Sequence, residues 1–256
     1  MATASPFKTL KLTSAKMSIT PAESATCLPR SFTSIEWTLL MHTRWRLLIA
    51  SLFLLSWLGA AHGQAAQANH NILVVGDSLS AEYGIRRDSG WVKIINQRLQ
   101  DQNLGYTMQN ASISGDTTSG GLSRLPAALK AHQPAVVIIE LGSNDALRGL
   151  PLDMARDNLA HMIEFSQDAG AQVVLAAMQI PPNYGRPYSE QFRNMFVELA
   201  QHYKTGLVPF LLEGVALDKT LFLDDGLHPN EAAQPVIAEN VWGVLNKLLK
   251  NGEASS

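Results

Sequence analysis

One cysteine in 256 residues, Cys27, leaves no partner for an intramolecular disulfide and too few thiols for an iron–sulfur cluster or a cysteine-based zinc site. Charge is scarce too. Asp, Glu, Lys and Arg make up 16% of the chain, against roughly 25% in average soluble domains. The 20 basic and 22 acidic residues nearly cancel, and none of them forms a block. A nucleic-acid partner needs clustered Lys and Arg and is not expected. Internal repeats and low-complexity linkers are missing as well. What is abundant is apolar: 46% of the residues are hydrophobic, enough to fill a core and to exclude a disordered chain.

Part of that apolar excess is local. In RWRLLIASLFLLSWLGAAHGQA, Arg44 and Arg46 precede an uncharged stretch from Leu47 to Ala61, and Ala61-His62-Gly63 follows as a small-x-small exit. A basic flank, a short apolar run and a small-residue exit describe a secretory signal peptide, here residues 41–63. The run is shorter than the ~20 apolar residues that span a bilayer, so no stable membrane anchor is expected after cleavage. Cys27 lies upstream and cannot carry a lipid at the cleavage point. Residues 1–40 are Ser/Thr-rich without periodicity and are read as an extension from a misassigned start codon, with synthesis beginning at Met41. The expected mature domain is 64–256, exported to the periplasm or the medium.

From Asn71 onward, short β-branched runs alternate with longer helical patterns. The runs are Ile72–Val75, Tyr106–Met108, Ala135–Leu141, Val173–Met178 and Gly206–Val208. AVVIIEL and VVLAAM are apolar on both faces, as strands between two helical layers must be. Between the runs, Trp91–Leu99, Leu122–Lys130, Met154–Asp168 and Phe192–Tyr203 have apolar positions three and four apart, and a last helical pattern runs from Ala232 to Leu249. Five strand–helix alternations predict an α/β fold, a three-layer sandwich around a parallel sheet. In such folds ligands bind outside the carboxyl ends of the strands, near a topological switch point.

Several polar segments follow strands and so fall at that edge. Ser78, in Gly76-Asp77-Ser78-Leu79-Ser80, leaves the first strand ahead of an expected helical stretch whose positive end would face a developing anion. Read alone, it is equally an ordinary turn or cap. Ala111–Gly121 reads as a long polar, Gly-rich loop offering backbone N–H groups, or as a connection whose glycines only permit positive φ. Asn144, in Gly142-Ser143-Asn144-Asp145, either turns its amide into the crevice or caps a helix. In Asp224-Asp225-Gly226-Leu227-His228, the Asp225 carboxylate can reach Nδ1 of His228 and leave Nε2 as a general base. A capping aspartate or a metal-binding pair reads as well. His132, His161 and His202 sit in helical patterns and make weaker cases. Together these residues supply a nucleophile, an anion site and an oriented base, the parts that acyl transfer needs.

GDSLS, NASISGDTTSGG, GSND and DDGLHPN, in that order, resemble the four blocks of the SGNH (GDSL) hydrolases. RLPAALKAHQPAVVIIELGSNDALRG and DDGLHPNEAAQPVIAENVW resemble a group of secreted bacterial enzymes with arylesterase, thioesterase and lysophospholipase activities. The resemblance covers roughly residues 71–248 and implies a five-stranded sheet in flavodoxin-like order with helices on both faces. It also implies a cofactor-free, metal-free hydrolase of acyl esters and thioesters, expected to be monomeric. Carried over by position, Ser78 is the nucleophile, His228 the base and Asp225 its orienter; the N–H groups of Ser78 and Gly115 and the Asn144 side chain form the oxyanion hole. Leu147 and Leu150, in the segment after Asn144, are expected to line an acyl groove. Ser143, where close relatives commonly carry glycine, and Met178-Gln179, where they often place a basic residue, bear on substrate preference.

Other readings compete: a carbohydrate O-deacetylase of the same fold, a metal-dependent phosphoesterase using Asp77, Asp225 and His228, and a binding module without turnover. The N-terminal reading has a direct test. Edman or mass-spectrometric sequencing of the protein exported by its native host is expected to find a mature N-terminus just after Gly63. A start before residue 41 would overturn both N-terminal assignments.

Overall fold

Five parallel strands define the molecule: β1 (His70–Gly76), β2 (Tyr106–Asn110), β3 (Val136–Glu140), β4 (Gln172–Ala176) and β5 (Gly206–Val208), in the spatial order β2-β1-β3-β4-β5. The computed structural model describes residues 70–253. The expected extension (1–40) and signal peptide (41–63) lie outside the described residues. The helices are α1 (Trp91–Asp101), α2 (Thr118–His132), α3 (Ser143–Leu147), α4 (Leu152–Asp168), α5 (Arg186–Tyr203) and α6 (Gln234–Glu253). Right-handed crossovers put α1 and α6 together on one face, while α2, α4 and α5 pack in succession on the other. This is the expected three-layer α/β sandwich in flavodoxin-like order.

The central strands are apolar because both of their faces are covered. Ile72–Val75 of β1 and Val136–Ile139 of β3 are fully or almost fully buried. Their register pairs Ile72 with Val136 and runs to Gly76 opposite Glu140. The chain leaves β1 toward β2 and leaves β3 toward β4, so the two strand ends diverge and open a crevice between them. Glu140 is the exception in β3, a charged residue type at 0% exposure.

Two expectations are corrected. No helix follows Ser78. The chain instead makes an open turn, with Ala81 N–H donating to the Asp77 carbonyl (2.9 Å), and the first helix begins at Trp91. Tyr83, Glu82, Asp88 and two glycines break the periodicity that a helix would need. An anion near Ser78 therefore meets backbone N–H groups rather than a helix dipole.

The Gly-rich loop is also shorter than expected, because α2 starts at Thr118 and absorbs Gly120 and Gly121. Thr-Ser-Gly-Gly has weak helix propensity. The turn is held from 27 residues away, where the Asp145 carboxylate accepts from both the N–H (2.9 Å) and the hydroxyl (2.7 Å) of Thr118. Thr117 caps the same turn by accepting from Gly120 N–H. Gly121 lets this turn press on the sheet: a Cβ there would collide with Leu141 Cδ1 and lie 3.3 Å from Met162 Cε.

Two glycine-to-alanine changes should therefore have opposite signs. In a helix interior the change gains about 1 kcal/mol. Gly243, in α6, has nothing within 4 Å of its added Cβ and should show most of that gain. At Gly121 overpacking of about 1–3 kcal/mol should outweigh it. Urea unfolding of both variants is the measurement; stabilisation by Gly121→Ala would mean that Leu141 gives way freely.

Candidate active site

The turn after β1, the loop after β2, the start of α3, the segment after β4 and the loop before α6 meet at the carboxyl edge of the sheet around a cleft of about 320 Å³. Its lining includes Ser78, Gly115, Asn144 and His228, together with apolar side chains of Leu79, Leu147, Met178, Ile180, Pro181 and Leu227.

The histidine loop orders itself. Leu223 N–H donates to the His228 carbonyl (2.8 Å) and Gly226 N–H to the Leu223 carbonyl (2.9 Å), closing the turn. Asp225 Oδ1 accepts from the backbone N–H groups of Leu227 and His228, both at 2.9 Å, which leaves Oδ2 for His228 Nδ1 at 2.7 Å. These N–H groups, then the ring, hold the Asp225 carboxyl down at about 2. It is ionised through the neutral range although its side chain is 40% exposed. A carboxylate on Nδ1 fixes the tautomer with Nε2 unprotonated. Nε2 lies 3.0 Å from Ser78 Oγ, across 150 residues of sequence. Tyr83 packs on the imidazole with ring centroids 4.4 Å apart.

The opposite wall is built from backbone. Among the described residues, the N–H groups of Ser78 and Gly115 donate to no protein acceptor. Gly115 has φ +77°, a left-handed conformation that disfavours a side chain. Arg124 anchors its loop: Nε pairs with Asp116 Oδ2 (2.9 Å), Nη1 donates to the Ala111 carbonyl and Nη2 reaches the Gly76 carbonyl (3.4 Å). Arg148 Nη2 donates to the Gly115 carbonyl (2.8 Å). Asn144 is not a cap, since that place belongs to Gly142 without a side-chain bond. Its Nδ2 donates to Asp77 Oδ2 (3.0 Å), leaving the second amide hydrogen for the cleft.

Under this wall lie two acids. Asp77 is 1% exposed and accepts from Leu79 N–H (3.0 Å) as well as from Asn144. Glu140 Oε2 accepts from Ser80 Oγ (2.7 Å) and from Asp77 N–H (3.2 Å). Burial raises both carboxyls. Asp77 is pushed up to about 6, with the Leu79 N–H, the His228 ring and the Asn144 amide opposing the rise. Glu140 is driven well above the carboxylate range, by burial first and then by the negative charge of Asp77. Both shifts disfavour two negative charges in the pair.

Leu147 lines the cleft, and Leu150 does not. Leu150 N–H turns back to the Asp145 carbonyl (2.9 Å), and the Tyr184 and Tyr188 hydroxyls hold the carbonyls of Leu147 (3.2 Å) and Leu150 (3.3 Å). The facing wall is Met178–Pro181, of which the sequence drew attention only to Met178-Gln179. Ser143 also lines the cleft, with its buried Oγ unpartnered among the described residues. Asp77, Asp225 and His228 form no ligand set, and among the described residues no three His, Cys, Asp or Glu side chains are grouped to hold a metal ion. Glu140 and Arg124 escaped the sequence reading, although a lone acid in an apolar strand is the signal of a buried, partnered carboxyl.

A hydrogen-bonded Asp–His–Ser chain facing unpaired backbone N–H groups at a sheet switch point is the arrangement of a serine hydrolase. The sequence profile of the GDSL-like Lipase/Acylhydrolase family matches residues 74–235, and the chain belongs to that family. It is 48% identical over 182 residues to the esterase TesA of Pseudomonas aeruginosa, covering 71% of this chain and 90% of that protein. It is 40% identical to thioesterase 1/protease 1/lysophospholipase L1 of Escherichia coli K12, covering 81% and 95%. The crystal structure of the psychrotrophic esterase EstA from Pseudoalteromonas, inhibited by monoethylphosphonate, superimposes with a TM-score of 0.68 at 39% identity, over 71% of this chain and 99% of that one.

The buried pair has a pH consequence. A carboxyl raised on folding contributes stability that is complete below its unfolded value and fades as pH rises toward the folded one. Wild-type stability should lose up to about 1.4 kcal/mol per pH unit to Glu140 above the usual glutamate range. Glu140→Gln removes that loss. Its unfolding free energy, measured in urea from pH 5 to 8, should therefore gain on wild type as pH rises. A constant difference would mean that Glu140 is already ionised.

Proposed function

We infer that the protein hydrolyses carboxylic esters and thioesters through an acyl-enzyme on Ser78. The observation that carries this reading is the continuous Asp225–His228–Ser78 hydrogen-bond chain, at 2.7 and 3.0 Å, opening on an apolar cleft. Ser78 Oγ attacks the acyl carbonyl while His228 Nε2 takes its proton, and the developing imidazolium is stabilised by the Asp225 carboxylate. The carbonyl oxygen gathers negative charge and accepts from Ser78 N–H, Gly115 N–H and the free Asn144 amide hydrogen. Each such donor is worth about 10²–10³ in rate. His228 then returns the proton to the departing alkoxide or thiolate. Water, activated by the same imidazole, releases the acid from Ser78.

The substrates that suit the cleft are aryl esters, fatty-acyl thioesters and lysophospholipids. Leu79, Leu147, Met178, Ile180 and Pro181 offer an acyl chain apolar contact and few hydrogen-bonding groups. A carbohydrate acetyl ester would leave most of that wall unused. The names of the curated relatives, an esterase and a thioesterase/lysophospholipase, support the same class. Among the described residues no helix is long and apolar enough to cross a membrane. The basic–apolar–small pattern over 41–63 favours export, with the mature enzyme working unanchored.

Ser78→Ala should abolish hydrolysis of p-nitrophenyl butyrate and octanoate alike, with the far-ultraviolet spectrum unchanged. Ile180→Ala should be selective. Each methylene withdrawn from contact is worth about 0.8 kcal/mol, so kcat/KM for octanoate should fall roughly tenfold while acetate is spared. Activity surviving in Ser78→Ala would overturn the mechanism; equal losses at all chain lengths would move the acyl groove away from Ile180.

A further inference from the structure

The hydrolytic mechanism leaves one buried ionisable group unused. Glu140 ends β3 directly opposite Gly76, the last residue of β1, and it is inaccessible to solvent. The space around it is closed: a Cβ on Gly76 would lie 2.7 Å from Glu140 Oε2. Two donors, Ser80 Oγ–H and Asp77 N–H, converge on Oε2, whereas Oε1 is buried and receives none. A carboxylate oxygen without a donor is costly in such a place. A hydroxyl is not, provided that it finds an acceptor. The neighbouring acid is Asp77, whose own N–H already binds Oε2 at 3.2 Å, and its carboxyl is the acceptor at hand. Its two oxygens already receive Leu79 N–H and Asn144 Nδ2–H.

We propose that Glu140 is a positioning residue for catalysis: as a neutral acid it donates its proton to the Asp77 carboxylate, and Asp77, so fixed, aims the Asn144 amide at the carbonyl oxygen of the substrate. Three donors then surround Asp77, from the turn that carries Ser78, from α3 and from β3. A carboxylate can satisfy all three, having about four lone-pair sites and no hydrogen of its own. Rotation of Asp77 would swing the Asn144 amide. The Glu140 hydroxyl restrains that rotation. No reacting atom touches Glu140, so its influence appears in the transition state, where the Asn144 bond strengthens, and not in ground-state binding.

This inference rests on the reading of Ser78 as nucleophile and Asn144 as oxyanion donor, and the experiment separates the two. Steady-state kinetics on p-nitrophenyl butyrate would be compared for wild type, Ser78→Ala, Glu140→Leu, Glu140→Gln and Asp77→Asn. Glu140→Leu should lower kcat by about 10²-fold, the scale of a misplaced oxyanion donor, with KM unchanged. Glu140→Gln, whose amide can donate to Asp77 while its oxygen accepts from Ser80, should restore most of kcat. Asp77→Asn places a second donor against the Asn144 amide and should lose kcat as Glu140→Leu does, even if the leucine variant fails to fold. Independently of turnover, the infrared spectrum near neutral pH should contain a protonated-carboxyl band that disappears in Glu140→Gln. Activity in Ser78→Ala would defeat the hydrolytic reading itself. An inactive Ser78→Ala alongside full kcat in Asp77→Asn, or Glu140→Gln as impaired as Glu140→Leu, would overturn the positioning role alone. Absence of the infrared band would do the same.

Discussion

The pairing of β1 with β3 is the constraint from which the rest follows. Their parallel register ends with Gly76 beside Glu140, and the chain then departs in opposite directions. A crevice must open where two such strands diverge, because neither following segment can cover it. Ser78 lies two residues past one strand and Asn144 four past the other. Ser78 and the Asn144 amide are therefore brought to the same crevice by the sheet's hydrogen-bond ladder, before any side-chain contact between them is considered.

The histidine enters differently. Its loop is remote in sequence, and no strand end aims it. Asp225 does two jobs with its two oxygens, one closing the turn on backbone N–H groups and the other holding the ring. The bonds that shape the loop also keep the carboxyl ionised at about 2. The same carboxylate thus closes the loop and orients the imidazole. What the tertiary structure adds is the docking of this preformed unit, so that Nε2 meets Ser78 Oγ at 3.0 Å.

Electrostatics limits how many charges such a site can hold. Asp225 is half in solvent and keeps its charge at little cost. Asp77 and Glu140 are almost dry, and two adjacent buried anions would be strongly destabilising. Burial raises both carboxyls, Glu140 well above its usual range, and so limits the negative charge beneath the cleft. That charge lies on the Asn144 side of the site, where orientation of an amide dipole matters and where a second anion would oppose the developing oxyanion.

Local chemistry made much of this legible in the primary structure. Runs apolar on both faces, β-branched and alternating with helical patterns, read as strands between helical layers, and the polar turns after them then fall on one edge. The Asp-x-x-His spacing lies within one turn, so the Asp225–His228 bond was readable from residues three apart. Three features were not readable. The turn after Ser78 is not a helix, α2 begins inside a Gly-rich segment because distant Asp145 caps it, and Leu150 leaves the cleft because tyrosines of and near α5 hold its segment. The last two were decided by partners far along the chain. The sequence by itself determined the layers and the residue types at the edge, since these depend on periodicity and short-range spacing, while the strand order was implied by the family resemblance. Only the tertiary structure decided which side chains share a cleft and which acid keeps its proton, because burial and donor number are properties of the packed neighbourhood, to which residues from β1, α3 and β3 contribute together.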